Sequence, residues 1–278
     1  MLFTTDFTLE TLVKTELPPL PGSVMRISAM LQDYNISQRA VANAIGQDPA
    51  LSMRILRLAN SPIYALQRTI SNMTDAVAAV GNNSISESLM ITGIGDSFGS
   101  RVLNSEAGRE IWFHLLATAM TAGDMCRAAK LRGADEAFSG GLLHDIGKLI
   151  FLKADPARYF NVIELSKKEG DIRHIEREVF GFDHVELGSR AAEAWSLPEA
   201  VCDMIRCHHE PHLATEGIAV TRIVSLANSL ANYKKQGLEI DDLLWSEAVL
   251  GFGFTTAQFE EIWENTLVRI REVMRSLF

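Results

Sequence analysis

Along the chain, apolar residues recur at intervals of three and four, and runs of alternating β-branched residues are almost absent. The pattern predicts an all-α protein with no sheet of three or more strands. Leu17-Pro18-Pro19-Leu20-Pro21-Gly22 reads as a rigid extended lead-in, because each proline keeps the residue before it out of the helical region. Val24, Ile27, Met30 and Leu31 then share one helical face. A further helix is expected to begin near Ser37. Asp48-Pro49 is a start signal, with Asp48 able to cap free N–H groups and Pro49 tolerated in the first turn. Leu51, Ile55 and Leu58 line that helix, and Asn60-Ser61-Pro62 closes it. A short helix through Ala76-Val77-Ala78-Ala79-Val80 stops at Gly81, and another runs from about Ser84 to Thr92.

In Gly93-Ile94-Gly95-Asp96-Ser97-Phe98-Gly99 the glycine density rises and the periodicity weakens. A boundary between two helical subdomains is therefore expected between residues 93 and 105, dividing the chain into 1–100 and 101–278. Every histidine follows it. A long helix from about Ser105 to Lys130 carries His114. Gly133 and Asp135 separate it from Gly141-Leu142-Leu143-His144-Asp145-Ile146-Gly147-Lys148, an apolar stretch expected to be helical. Asp183 is placed as an N-cap with His184 in the first turn, and Leu197-Pro198 starts the helix that delivers His208-His209. Thr255 and Gln258 have capping-box spacing before a closing helix whose stripe of Phe259, Ile262, Leu267, Ile270 and Leu277 is assigned to the core.

Composition narrows the function classes. The chain has 278 residues and is 47% hydrophobic, which fits a folded protein. A formal charge of -9 without any long basic run argues against nucleic acid or an anionic membrane as partner. No stretch approaches the roughly 18 apolar residues of a membrane span. The cysteines Cys126, Cys202 and Cys207 lack paired spacing and fit a reducing compartment. A cytoplasmic location is expected.

The candidate chemistry centres on His144-Asp145, because a carboxylate inside an apolar stretch needs a partner. His114, His184 and His208-His209 supply imidazoles, and imidazole with carboxylate suits a divalent metal such as iron, manganese or zinc. Adjacent residues on a helix diverge by about 100°, so each doublet needs a helix end, or two metals bridged by Asp145, to act at one place. The competing reading is a metal-free polar network in which these groups satisfy one another. Lys148 reads as a snorkelling surface lysine in preference to a phosphate partner. His174 and His212 read as exposed histidines.

With these residues located, the chain resembles the HDOD family, the HD-related output domains of bacterial signalling. In the first half the resemblance rests on Leu17-Pro18-Pro19-Leu20-Pro21, Gln47-Asp48-Pro49-Ala50-Leu51 and Leu56-Arg57-Leu58-Ala59-Asn60-Ser61. In the second it rests on Trp112-Phe113-His114, Gly141 to Lys148, Phe180-Gly181-Phe182-Asp183-His184, Trp195-Ser196-Leu197-Pro198-Glu199 and His208-His209-Glu210. It spans about residues 17–232 as one module. The resemblance implies a degenerate HD-type helical bundle in the C-terminal part, with His114, His144 and Asp145 as the first histidine and the His-Asp doublet. His184, His208 and His209 resemble ligands of the two-metal HD-GYP branch, but the Gly-Tyr-Pro signature is missing after them. Asn228 stands where HD enzymes close the site with Asp, which removes one ligand charge.

The implied metal ligands are His144, Asp145, His184, His208 and His209, with His114 and Asn228 as outer or weak ligands. Asp145 and Lys148 are the catalytic candidates should the site turn over substrate. The expected function is a non-catalytic signalling output module acting through a protein partner, with input from another chain or a ligand. The alternatives are a metal-dependent phosphohydrolase acting on a nucleotide or cyclic nucleotide, and a sensor of a phosphate-bearing small ligand. Hydrolysis of cyclic dinucleotides is expected to be weak or absent, and Asn228→Asp to strengthen metal binding.

Overall fold

The computed structural model describes residues 8–31, 33, 35–64, 68–237 and 251–277. Among these every regular element is helical and no strand occurs. The chain forms two compact units, Met1–Pro19 with Phe98–Trp263 and Leu20–Ser97 with Glu264–Phe278. A division into 1–100 and 101–278 therefore misplaces both ends of the chain, because each groups with the part remote from it in sequence.

In the Leu20–Ser97 unit, the helices Gly22–Leu31, Gln38–Gly46, Pro49–Ala59 and Met73–Val80 enclose a core that includes Ile27, Val41, Ile45, Ile55 and Val77. The start signals operate as expected. Ser37 accepts from the Ala40 amide, and Asp48 accepts from the amides of Ala50 and Leu51. Asn60 closes its helix by donating to the carbonyls of Leu56 and Ile70, both at 2.8 Å, and accepting from the Ile70 amide. Gly81, at φ 80°, ends Met73–Val80.

The glycine-rich stretch does not end a helix at Thr92. The helix runs Asn82–Leu103 and breaks its geometry only at Gly99, at φ 76° and ψ 160°. Gly93 has a packing role instead: a Cβ there would lie 3.1 Å from the methyls of Val24. A glycine that permits close approach and one that takes positive φ look alike in sequence.

In the histidine-bearing unit, Glu106–Ala128 packs against Ala134–Leu143 and Ile218–Lys235. Ile146–Ala154 packs against His184–Ala194, which in turn contacts Glu199–Cys207. Asp183 forms a full capping box with Glu186, and its buried carboxylate also meets Arg173 at 2.8 Å and Arg177 at 2.5 Å. Asp203 anchors the stretch after the second histidine doublet, accepting from the amides of Thr215 and Glu216, each at 2.7 Å. Thr255 and Gln258 cap the closing helix Thr256–Leu277 reciprocally. Its Phe259, Ile262 and Ile270 are buried, Leu267 is half-buried, and the side chain of Leu277 lies outside those described.

Candidate metal centre

His144 and Asp145 do not lie within a helix, contrary to the expectation from their apolar surroundings. Ala134–Leu143 ends before them and Ile146–Ala154 starts after them, with Asp145 at φ -107° and ψ 18°. His208 likewise sits immediately beyond Glu199–Cys207. Helix ends thus remove the constraint that would fan adjacent side chains apart. Gly147 completes the arrangement: a Cβ there would lie 2.1 Å from the carbonyl oxygen of His184, so only glycine lets the two segments meet this closely.

Asp145 is the hub. Its Oδ1 lies 3.1 Å from His184 Nε2 and 3.6 Å from His208 Nε2. Its Oδ2 lies 3.3 Å from His144 Nε2, 3.5 Å from His114 Nε2 and 2.5 Å from Lys148 Nζ. His114 and His144 are 3.2 Å apart through their Nε2 atoms, and His184 and His209 are 3.3 Å apart. Two overlapping ligand groups result, Asp145 with His184, His208 and His209, and Asp145 with His114 and His144. Within each group the ligating atoms lie within 4.8 Å of one another. All six histidine and aspartate candidates therefore converge, His114 as fully as the rest.

The outer nitrogens of three imidazoles are already engaged. Nδ1–H of His144 donates to the Gly141 carbonyl at 2.8 Å, and Nδ1–H of His208 donates to the Ile205 carbonyl at 2.8 Å. Nδ1–H of His184 donates to Glu176 Oε2 at 2.6 Å. Each of these imidazoles therefore turns its Nε2 toward Asp145, and in the neutral form that atom is a lone-pair donor to a metal rather than a hydrogen-bond donor. Asp145 Oδ1 and His208 Nε2 are buried without any hydrogen-bond partner. Buried polar atoms are rarely left so, and a cation at this point would satisfy both. On that observation the donor set fits a divalent metal.

Electrostatics favour the neutral form at three of the imidazoles and the protonated form at His184. Burial, reinforced by His144, lowers the pKa of His114 to about 3. Burial lowers His208 to about 4 and, with His208 as neighbour, lowers His209 to about 2. Burial opposes ionisation of Asp145, yet Lys148, His144 and His184 outweigh it and hold the carboxyl well below its usual range. For His184, burial and Lys148 oppose protonation, but Asp145 and Glu176 prevail and raise its pKa.

Lys148 is no snorkelling surface side chain: its ammonium is bound to Asp145 Oδ2. Asn228 is buried on Ile218–Lys235, where its amide oxygen accepts from Asn232 at 3.0 Å. His174 is exposed and pairs with Glu178, and His212 is exposed as well. The sequence reading missed Glu176 and Tyr159. Glu176 occupies the apolar stripe of Ile172, Ile175, Val179 and Phe180 on the helix Ile172–Phe180. A carboxylate interrupting such a stripe was the signal available. A cavity of about 230 Å³ adjoins the cluster, with His114, Phe113, Ala117 and Ala231 in its wall and Arg109 and Lys235 among its other lining residues.

The family model described as HDOD domain matches residues 17–211. An HDOD domain protein of unknown function from Geobacter sulfurreducens is 26% identical, with a TM-score of 0.75 over 96% of this chain and 97% of that one. A candidate phosphohydrolase from Shewanella amazonensis SB2B is 21% identical, with a TM-score of 0.77 over 97% and 98% of the two chains. A candidate signal transduction protein from Marinobacter aquaeolei VT8 is 18% identical, with a TM-score of 0.75 over 97% of this chain and 64% of that one. At these lower identities the likeness is one of fold. An uncharacterised Treponema pallidum (strain Nichols) protein is 26% identical over 224 residues, 77% of this chain and 42% of that protein, so the chain spans less than half of this relative. No helix among the described residues is long and apolar enough to cross a membrane.

Proposed function

The chain belongs to the HDOD family, and from that premise we propose that it is a signalling output module that acts through a protein partner and carries a divalent metal in its HD-type pocket. One observation carries the metal assignment: Asp145 Oδ1 and His208 Nε2 are buried without a hydrogen-bond partner, at the focus of imidazoles whose outer nitrogens are already engaged. His184, His208, His209 and Asp145 Oδ1 would hold the cation, and Lys148 neutralises Oδ2. Nitrogen-rich ligation with one carboxylate favours zinc, iron or manganese over calcium or magnesium. When bound, the metal supplies Lewis acidity and lowers the pKa of a coordinated water. The chain's own residues orient the ligands; Asp145, His184 and His208 are buried, and the exposed His209 is the side from which solvent reaches the group.

Metal content of the purified protein, with titration of the metal-free form by zinc, manganese and iron(II), tests this reading. We expect about one equivalent bound in the parent and none in Asp145→Asn with His208→Ala. A parent chain that takes up none of the three cations would sink it. The second reading, a metal-dependent phosphohydrolase acting on a nucleotide, is favoured by the cavity beside His114, whose lining includes Arg109 together with Lys235, the latter paired with Glu110 at 3.0 Å. Metal-dependent turnover in a phosphodiesterase screen, abolished by His144→Ala, would replace the output-module reading with this one.

A further inference from the structure

We infer that Glu176, backed by Tyr159, is the positioning residue that holds His184 in the ring orientation and tautomer required of a metal ligand. The inference rests on the metal reading above.

Glu176 is fully buried, where an unpaired carboxylate is strongly disfavoured. Its Oε2 accepts from both the backbone amide of His184 at 2.8 Å and the imidazole Nδ1–H at 2.6 Å. Two donors from one residue on one oxygen fix the backbone position and the ring rotation together. Turning the ring over would strip Nδ1–H of its acceptor and bring a carbon against the carboxylate. Nε2 is thereby aimed at Asp145 Oδ1 and His209 Nε2. The other oxygen, Oε1, accepts from the Tyr159 hydroxyl at 2.7 Å, so the carboxylate cannot pivot away. Tyr159 is itself fully buried and stacked on Phe151 at a centroid distance of 5.3 Å, which keeps competing water from this side.

The arrangement sets His184 apart from its neighbours. His144 and His208 donate to neutral carbonyls three residues earlier in their own segments, whereas His184 donates to a carboxylate eight residues away on a different helix. A charged acceptor raises the basicity of the imidazole as a ligand, so His184 becomes the strongest nitrogen donor of the group. His184 Nε2 and Asp145 Oδ1 would be the donors that hold the cation, Oδ2 being engaged by Lys148.

The test uses Glu176→Gln and Tyr159→Phe in the full chain, with zinc as the probe against a competing chelator and ¹⁵N–¹H correlation of the histidine rings in the metal-free protein. Glu176→Gln keeps an acceptor but loses the charge, and zinc affinity is expected to fall about 10- to 100-fold, with a smaller loss in Tyr159→Phe. His184 should appear as the species protonated at Nδ1 in the parent and as a tautomer mixture in Glu176→Ala. Should the glutamate variants fail to fold, Tyr159→Phe keeps the carboxylate and still reports a weakened clamp through its zinc affinity. Zinc binding by Glu176→Gln equal to the parent, or a His184 ring protonated only at Nε2, overturns the inference. A parent that binds no metal defeats the metal reading, and the ring measurement then decides separately whether Glu176 orients His184.

Discussion

At Asp145 the two carboxylate oxygens have different surroundings. Oδ2 carries Lys148 at 2.5 Å, and Oδ1 faces the Nε2 atoms of His184 and His208 at 3.1 and 3.6 Å. Lys148→Met should therefore free Oδ2 beside His114 and His144 and raise the bound metal from about one to two equivalents per chain, read by elemental analysis. Asn228→Asp retains the acceptor for Asn232 and adds a charge to the same unit. We expect metal affinity to rise several-fold at most, because the side-chain oxygen of Asn228 is engaged by Asn232. The pH dependence follows from the histidines. His114, His208 and His209 have pKa values lowered to about 3, 4 and 2, so below about pH 6.5 the unfolded chain takes up protons that the folded chain refuses. Stability is thus greatest above that pH and lost as pH falls; His184, with its raised pKa, opposes the trend singly. Thermal melts of metal-free protein should show Tm falling from pH 7 toward about pH 4. A Tm that stays flat or rises would contradict neutral imidazoles at His114, His208 and His209.

Helix ends, more than helix faces, assemble the site. His144-Asp145 lies between two helices, His184 occupies a first turn and His208 follows a last turn. Segment contact therefore has to be tight where the ends meet. Gly147→Ala would push a methyl group into the His184 carbonyl, and overpacking of this kind costs about 1–3 kcal/mol. Chemical denaturation should show that loss together with weaker zinc binding, since His184 must shift. Gly93→Ala meets the side chain of Val24 at 3.1 Å, a longer approach than at Gly147, and should cost less without touching metal affinity. Asp183→Ala removes the capping box and leaves Arg173 and Arg177 without their shared carboxylate. A loss at or above the roughly 1 kcal/mol typical of an N-cap is expected in the same assay.

For the whole molecule, ligand linkage ties the site to stability. A cation that binds only the folded chain, present at 100 times its Kd, adds about 2.7 kcal/mol, so zinc should raise Tm in the parent and leave Asp145→Asn with His208→Ala unchanged. Much of this architecture was legible in the chain. Three- and four-residue periodicity specified helices because each amphipathic helix must bury one stripe, and Ser37, Asp48, Asp183 and Thr255 marked helix starts because capping is a local interaction. The histidines that converge on Asp145 were identifiable by type and by family resemblance. Other features were not local. Gly93 and Gly99 are the same residue with opposite roles, set by whether Val24 lies against the backbone or the chain turns. Lys148 was assigned to the surface because sequence shows a long polar side chain but not the carboxylate beneath it. Glu176 stands in an apolar stripe of its helix, but that the carboxylate meets His184 and Tyr159 is decided only by folding. The sequence by itself determined the all-helical class, the local caps and the residue types that are candidates to hold a metal. Only the tertiary structure decided which groups meet, because hydrogen bonding, desolvation and charge pairing act over a few ångströms between residues up to about a hundred positions apart.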